Sequence, residues 1–528
     1  MKPFAIAVML GLGAAAYAPL MAAAQDAGQI APAVESRLAE AAEGGPGVLL
    51  CELRAVLAAD PALAATPDSA AALARAAAVQ VRQYRGANLP VYREIVAVIG
   101  AAAPAEAEQA VISAAGDAVT KVAITDPSVA GTGQYTERPE GDRKTTAPQP
   151  ERQVAPLGVR VGNMIVYPEV QVSTYYDDNI FGNANNEVDD VALVIGPHVF
   201  VQSDWERHAA FLQGHVDVVR YRENDDENSV DYWASGEGRL DVTDRTKLFG
   251  GALHGAFHED RESPDDQNGA EPTRYSQSRA FAGLAQGFGK TRLRLGGTVE
   301  HLDFDDTPLG GGGVINNDDR DRNLVSAGAL VAYRLSPQLE PYAEAIADYR
   351  RYNADVDDNG FDRDSAGYTF KAGATYEISG ELFLDVAAGV MYRNFEDQAF
   401  DSETTPALDA SLTWNTTPEL TLRSWVSRSI SDTTVNGASH YNFTGGGLTA
   451  EYDITQDLLL SGLATYGVSA FEGANRTDHD YEFGAGLRYR INRNFFVAGD
   501  LRHQFRESDV VGADFTRNQV FLRFGAQY

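Results

Sequence analysis

The sequence predicts an all-β transmembrane barrel, an antiparallel up-and-down meander of about eighteen strands, preceded by a small α-helical module. Three observations carry this expectation. Apolar and polar residues alternate at period two through most of the chain after residue 159, very short turns alternate with long polar loops, and Tyr and Trp recur at a fixed distance before the short turns.

Residues 1–24 read as an export signal. Lys2 precedes an apolar stretch from Phe4 to about Ala18, and Ala22, Ala23 and Ala24 form a small-residue cleavage site, so the mature chain is expected to begin at Gln25. No Cys follows that site, which argues against a lipid anchor.

Residues 25–125 are Ala-rich and read as about four or five short helices punctuated by Pro and Gly. Pro67–Arg85 places Leu73, Ala77 and Gln80 or Val81 at helical spacing, and Asn88–Gly100 and Pro104–Val119 look similar. The chain's single cysteine, Cys51, allows no internal disulfide and reads as a small apolar core residue. In residues 126–158 the pattern dissolves into Pro, Gly, Thr and charge without a period, as in a flexible linker.

From residue 159 to 528 the texture is that of strands about 10 to 14 residues long. Thr243–Lys247, Phe288–Thr291, Ser379–Glu381, Thr416–Glu419, Thr455–Asp457 and Asn492–Asn494 are short turns. Asp177–Asp190, His258–Thr273, Asp303–Arg322 and Asn353–Asp364 are long loops. Short turns belong on the periplasmic side of an outer-membrane barrel and long loops outside. An even strand count puts both barrel ends on the short-turn side, and therefore the helical module in the periplasm.

Parity assigns the two faces. In the last strand Val520, Leu522, Phe524, Ala526 and Tyr528 face lipid, while Gln519, Phe521, Arg523, Gly525 and Gln527 face a wet lumen. Phe483, Ala485, Leu487, Tyr489 and Ile491 oppose Glu482, Arg488 and Arg490 in the same way. So do Leu382, Leu384, Val386, Ala388, Val390 and Tyr392 against Asp385, Gly389 and Arg393. Tyr333, Tyr376, Trp414, Tyr452 and Tyr489 sit just before short turns on the apolar parity, as an aromatic girdle at the periplasmic rim requires. A soluble sandwich would bury the apolar face in a second sheet, but strands this long and numerous, with every second connection minimal, favour a closed meander.

Composition excludes several classes. A formal charge of -32 without a basic patch leaves no basis for nucleic-acid binding. No apolar run of 18 residues follows the signal, which excludes a helical membrane protein. No nucleophile elbow, phosphate loop or cysteine pair occurs, so neither an enzyme nor a cofactor is expected. His254 and His258 share a strand face but lie roughly 14 Å apart, too far to chelate one metal ion directly.

The predicted lumen face carries Arg292, Arg294, Glu300, Glu344, Asp348, Arg488, Arg490, Asp500, Arg502 and Arg523. Such a set either steers an anionic solute or pairs internally to fill the wall. The acidic loop residues Asp177, Asp178, Glu187, Asp189, Asp190, Glu223, Asp225, Asp226 and Glu227 read as solvated, self-repelling loops rather than cation sites bridging to lipopolysaccharide.

At the first strand and loop, Val170–Asn183, the run Tyr176, Asp177, Asp178, Asn179, Ile180 and Phe181 resembles the opening of the putative β-barrel porin 2 family. The resemblance spans residues 159–528 and includes the repeated hairpins and the terminal aromatic. It implies an outer-membrane channel associated with export of exopolysaccharide or capsule, working with periplasmic export proteins through the helical module. Phe524 and Tyr528 look like the C-terminal signal read by barrel-assembly machinery. A diffusion porin for small solutes, anion-leaning or general, and a non-conducting surface adhesin or scaffold are the alternatives. Outer-membrane lipid and lipopolysaccharide are the expected surroundings.

Overall fold

The computed structural model describes residues 158–528, except 206, 267, 268, 311 and 418, and, before them, residues 34, 37–39, 41, 49, 53–57, 73, 74 and 77. The expected signal peptide and linker, Cys51 and most of the expected helical module therefore lie outside the described residues. The described positions before residue 158 are all helical, and Leu38, Leu49, Leu53, Leu73 and Ala77 among them are buried.

The rest is strands. A three-residue β1 (Val159–Val161) leads into β2 (Met164–Asp177), β3 (Asp190–Ser203), β4 (Ala209–Tyr221), β5 (Ser229–Asp241), β6 (Thr246–His258), β7 (Arg274–Phe288) and β8 (Thr291–Phe304). A small hairpin, β9 (Thr307–Pro308) and β10 (Val314–Ile315), sits within the next loop. Then follow β11 (Arg322–Tyr333), β12 (Leu339–Tyr352), β13 (Ser365–Ser379), β14 (Leu382–Phe395), β15 (Glu403–Asn415) and β16 (Leu420–Ser431). The wall ends with β17 (His440–Asp453), β18 (Leu458–Glu472), β19 (Arg476–Arg490), β20 (Phe495–Ser508) and β21 (Phe515–Gln527).

Each long strand pairs antiparallel with its neighbours in the chain, β8 passing directly to β11, and β21 returns to β2. The closing register runs from Glu169 opposite Gln527 to Asp177 opposite Gln519. Leaving aside β1, which pairs with β2 alone, the 19-stranded sheet is a closed ring of eighteen strands, each 12 to 15 residues long. Closure matters because a membrane offers no water to satisfy a free strand edge. β21 ends with Tyr528 N–H donating to Pro168 O at 3.1 Å, and β1 then covers the remaining edge of β2 from Val166 to Met164. Both ends of the wall lie at the short-turn rim, as the even count requires.

The outer face is apolar. Val170, Leu193, Ile195, Leu212, Val299, Val325, Phe370, Val390, Leu448, Phe483, Leu487, Leu501, Leu522 and Phe524 are all exposed, which in water would be untenable over so continuous a surface. Tyr333, Tyr376, Trp414, Tyr452 and Tyr489 are exposed on this face beside the short turns. A second belt, not anticipated from the sequence, stands at the opposite rim. Tyr176, Tyr232, Tyr349, Tyr368 and Tyr392 are exposed close to the loop ends of their strands. Two aromatic belts flanking an aliphatic band match the two headgroup layers of a bilayer.

Candidate functional site: lumen wall, closing seam and inward loops

Residues directly opposite in the register share a face, so the buried Leu330, Ala332, Phe496 and Ala498 mark the lumen side. Every predicted lumen residue lies on that side. Most are matched by opposite charge on a nearby strand: Arg292 with Glu340, Arg279 with Glu300 (3.8 Å), Glu344 with Lys371 (2.9 Å), and Arg523 with Asp500. Arg502 meets Glu482 at 2.9 Å, and Arg393 meets Asp348 at 2.5 Å. Arg294 lies over the Phe249 ring at 4.3 Å and Arg488 over Phe496 at 4.5 Å. Arg490 stands directly opposite Phe496 in the register. The wall is therefore a set of short-range pairs, with Arg concentrated on β19, β20 and β21.

The family-like run at the end of β2 has a definite structural task. Asp177, fully buried, receives Arg517 Nε at 2.7 Å and Gln519 Nε2 at 2.8 Å from β21. Asp178 accepts the Asn518 backbone N–H at 2.6 Å and its side-chain amide at 2.7 Å. Buried Asn179 donates to Asn183 O at 2.8 Å and Thr516 O at 2.9 Å, and accepts from Asn183 N–H at 3.0 Å. Ile180 is buried beside it, Phe181 lies 5.7 Å from the Arg261 guanidinium, and Tyr176 faces outward. This run holds the last strand to the first at the loop end of the barrel. Phe524 and Tyr528 are exposed on the outer face of β21.

The loop between β6 and β7 folds inward across the mouth. Glu259 receives both terminal nitrogens of Arg320 at 2.9 and 2.7 Å, and Arg261 donates to Glu227 at 2.9 Å. Glu262 pairs with Arg517 at 2.9 Å, and its backbone carbonyl accepts from Arg506 at 2.7 Å. Asp265 accepts from Thr433 Oγ1 at 2.7 Å and the Thr434 N–H at 2.9 Å. Arg506, Arg517, Thr433 and Thr434 stand on β20, on β21 and in the β16–β17 loop, well around the ring from β6. Gly182, at φ +59°, gives the loop room, because a Cβ there would meet Glu262 Cβ at 3.2 Å.

The β16–β17 loop also turns inward. Asp432 meets Arg350 of β12, and Arg322 of β11 at 3.2 Å. Burial alone would raise the Asp432 carboxyl, but Arg350, Arg322 and Arg393 outweigh it and hold it at about 2. Arg363 donates to Asp357 at 2.8 Å and to the Thr433 and Ala438 carbonyls at 2.7 and 2.6 Å, tying in the β12–β13 loop. Burial would likewise lower Arg320, yet Glu259 keeps it above its ordinary value.

One expectation needs correction. The acidic loops are not uniformly solvated: Asp177, Asp190 and Glu227 are buried, with arginines or backbone N–H groups as partners, while Glu187, Asp189, Glu223, Asp225 and Asp226 remain exposed. The reason is long-range pairing, which turns self-repulsion into cross-linking. His254 and His258 have separate partners, Ser278 at 2.9 Å and Asp231 at 2.7 Å. Among the described residues no group of three or more His, Cys, Asp or Glu could hold a metal ion. The inward loops and the aromatic inner surface of β2–β5 were missed, since neither leaves a local signal beyond single Arg and Asp residues in polar loops.

Residues 152–528 match the family described as Putative beta-barrel porin 2. No curated protein matches the chain. Among solved structures, OpdL of Pseudomonas aeruginosa is 14% identical, the match covering 70% of this chain and 99% of that one with a TM-score of 0.35. The siderophore receptor PiuA of Acinetobacter baumannii is 11% identical, covering 70% of this chain and 82% of that one at a TM-score of 0.41. OccK1 (OpdK) of Pseudomonas aeruginosa is 12% identical, covering 69% and 99% at 0.38.

Proposed function

The chain belongs to the Putative beta-barrel porin 2 family, a family of porin-like barrels of the outer membrane, and from that premise we propose that it is a gated conduit for saccharide polymer leaving the cell. Exopolysaccharide or capsular polysaccharide is the proposed cargo, and residues 25–125 are the proposed docking element for periplasmic export proteins. The observation that carries the gate is the β6–β7 loop, held across the mouth by Glu259–Arg320, Arg261–Glu227 and Glu262–Arg517. A pore wide enough for a hydrated polymer would leak small solutes unless such a span narrowed or closed it. A lumen of internally paired charges supports uncharged, hydroxyl-rich cargo, since it offers donors and acceptors without a strong net field. The Arg-rich surface of β19–β21 favours a second reading, an anion-leaning diffusion pore.

Two measurements separate these. In planar bilayers the wild-type protein should be nearly silent and a variant lacking residues 259–273 should conduct. Deletion of the gene should abolish surface polysaccharide while small-solute uptake stays intact. Free conductance by the wild type, together with normal surface polysaccharide in the deletion strain, would overturn the conduit in favour of the pore.

A further inference from the structure

We infer that the loop-side half of the seam between β15 and β16 is a lateral opening that admits a lipid acyl chain from the outer leaflet, independently of what passes along the barrel axis. The ladder between these two strands runs from Asn415 opposite Thr421 to Leu408 opposite Arg428 and stops there. On either side the ladders continue: β15 pairs with β14 as far as Glu403, and β16 pairs with β17 as far as Ser431. Eight pairs therefore join β15 to β16, against twelve in each flanking ladder. Residues 403–407 of β15 form a strand edge within the wall.

Pro406 is where the ladder ends. The Asn415 N–H donates to Glu381 O at 2.8 Å, and antiparallel pairs alternate, so odd-numbered residues of β15 bond to β14 and even-numbered ones face β16. Two residues past Leu408, Pro406 would have to donate to Ile430 O, and it has no N–H. Arg350 of β12 takes that carbonyl from the lumen side at 3.1 Å instead, beside its contact with Asp432. The β16–β17 hairpin then bends inward. Ile430 has the parity of exposed Val426, yet it is buried against Met391 and Ala407 on the lumen face of β14 and β15. From the same face of the hairpin Arg428 reaches Thr405 at 2.8 Å, Asn442 reaches Glu403 at 3.5 Å, and His440 stacks on Phe395 at 5.3 Å. The outward face of one hairpin thus lies on the inward face of the other, and the wall overlaps instead of closing edge to edge.

Depth and chemistry point to hydrocarbon as the guest. Tyr392 of the loop-side aromatic belt stands opposite Thr404, at one end of the free edge. Five residues from there span about 17 Å along the strand, roughly the share of one leaflet in a hydrocarbon core about 30 Å thick. An unmet N–H at this depth would be costly, and Pro406 removes one. The same missing donor keeps a further strand from completing the ladder. Behind the edge Met391, Ala407 and Ile430 make an aliphatic floor. An acyl chain asks for no hydrogen bond, so it can enter where a polypeptide strand cannot.

The test places the full-length protein in phosphatidylcholine vesicles doped with a phosphatidylcholine that carries a diazirine midway along one acyl chain. After irradiation, mass spectrometry maps the labelled residues. Label is expected on Met391, Ala407 and Ile430 as well as on outward Pro406. Ile346, level with Met391 through the register Ile346–Thr369–Met391 and behind unbroken ladders, should stay unlabelled. Pro406→Val supplies the missing donor and should cut the labelling of Met391 about two- to tenfold, the population change that one added hydrogen bond makes. A disulfide between Thr405→Cys and Arg428→Cys, in a chain also carrying Cys51→Ser, should abolish that labelling, and reduction should restore it. The double variant serves if the first fails to fold. Label confined to outward residues, equal labelling of Ile346, or wild-type labelling of Met391 in either folded variant would overturn the opening.

Discussion

Replacing Glu262 by Ala removes one anchor of the mouth loop while sparing its neighbours. In the native protein Arg517 donates to Glu262 at 2.9 Å and to Asp177 at 2.7 Å, so the guanidinium keeps a buried partner after the substitution. The Glu262 backbone carbonyl still receives Arg506. What is lost is one charge-assisted contact in a mostly buried setting, about 1.5–3 kcal/mol. At about 1.4 kcal/mol per tenfold, the open population of the loop should rise roughly ten- to a hundredfold. Two assays report it. Open probability in planar bilayers should increase by that factor, and so should trypsin cleavage after Arg261, which follows the open population when reclosure outpaces cleavage. Glu223→Ala, an exposed acidic change on a neighbouring loop, is the control and should do neither. If E262A matched E223A in both assays, the loop would not be held by this contact and the gating argument would fall.

Other outcomes follow from the same geometry. Asp432 is held at about 2, below the value near 3.9 of an unfolded Asp, so its contribution is fully present above about pH 4 and is lost as pH falls toward 2. Conductance should therefore rise on acidification through that window, and Asp432→Asn should show the increase already at neutral pH. Asn179→Ala leaves the Thr516 carbonyl and the Asn183 N–H without their partner at the seam and should cost about 2–4 kcal/mol, seen as a lower temperature for the heat-dependent mobility shift of the folded barrel. Leu522→Arg puts a charge on the outer face of β21 and should cost about 2–4 kcal/mol of folding stability in bilayers if it lies near the midplane. A near-zero cost would contradict a lipid-facing surface.

The barrel was legible because its rules are local. Period two exposes the lipid face within a single strand, and the aromatic at each short turn fixes the rim, so parity alone put Val520, Leu522 and Phe524 outside and Arg523 inside. Strand count followed from turn chemistry. The inward loops were illegible for the opposite reason: Glu262 and Arg517, or Asp265 and Thr433, are brought together only by closing the ring, and nothing near either residue in the chain announces the other. The same holds for the aromatic inner surface of β2–β5, since Tyr167, Phe200 and Phe211 lie on three strands. The Asp-Asn run was recognisable as a resemblance, while its task at the seam required the register between β2 and β21.

Arg517 joins two events that would otherwise be independent. One side of its guanidinium fastens the last strand made to the first, through Asp177, and the other fastens the mouth loop, through Glu262. A barrel whose final strand has not docked thus lacks one of the contacts that hold the mouth loop. Conversely, the loop gains its contacts to β20 and β21 only on a completed wall. On the proposed gated reading, a change at Arg517 would loosen the barrel seam and one anchor of the mouth loop together.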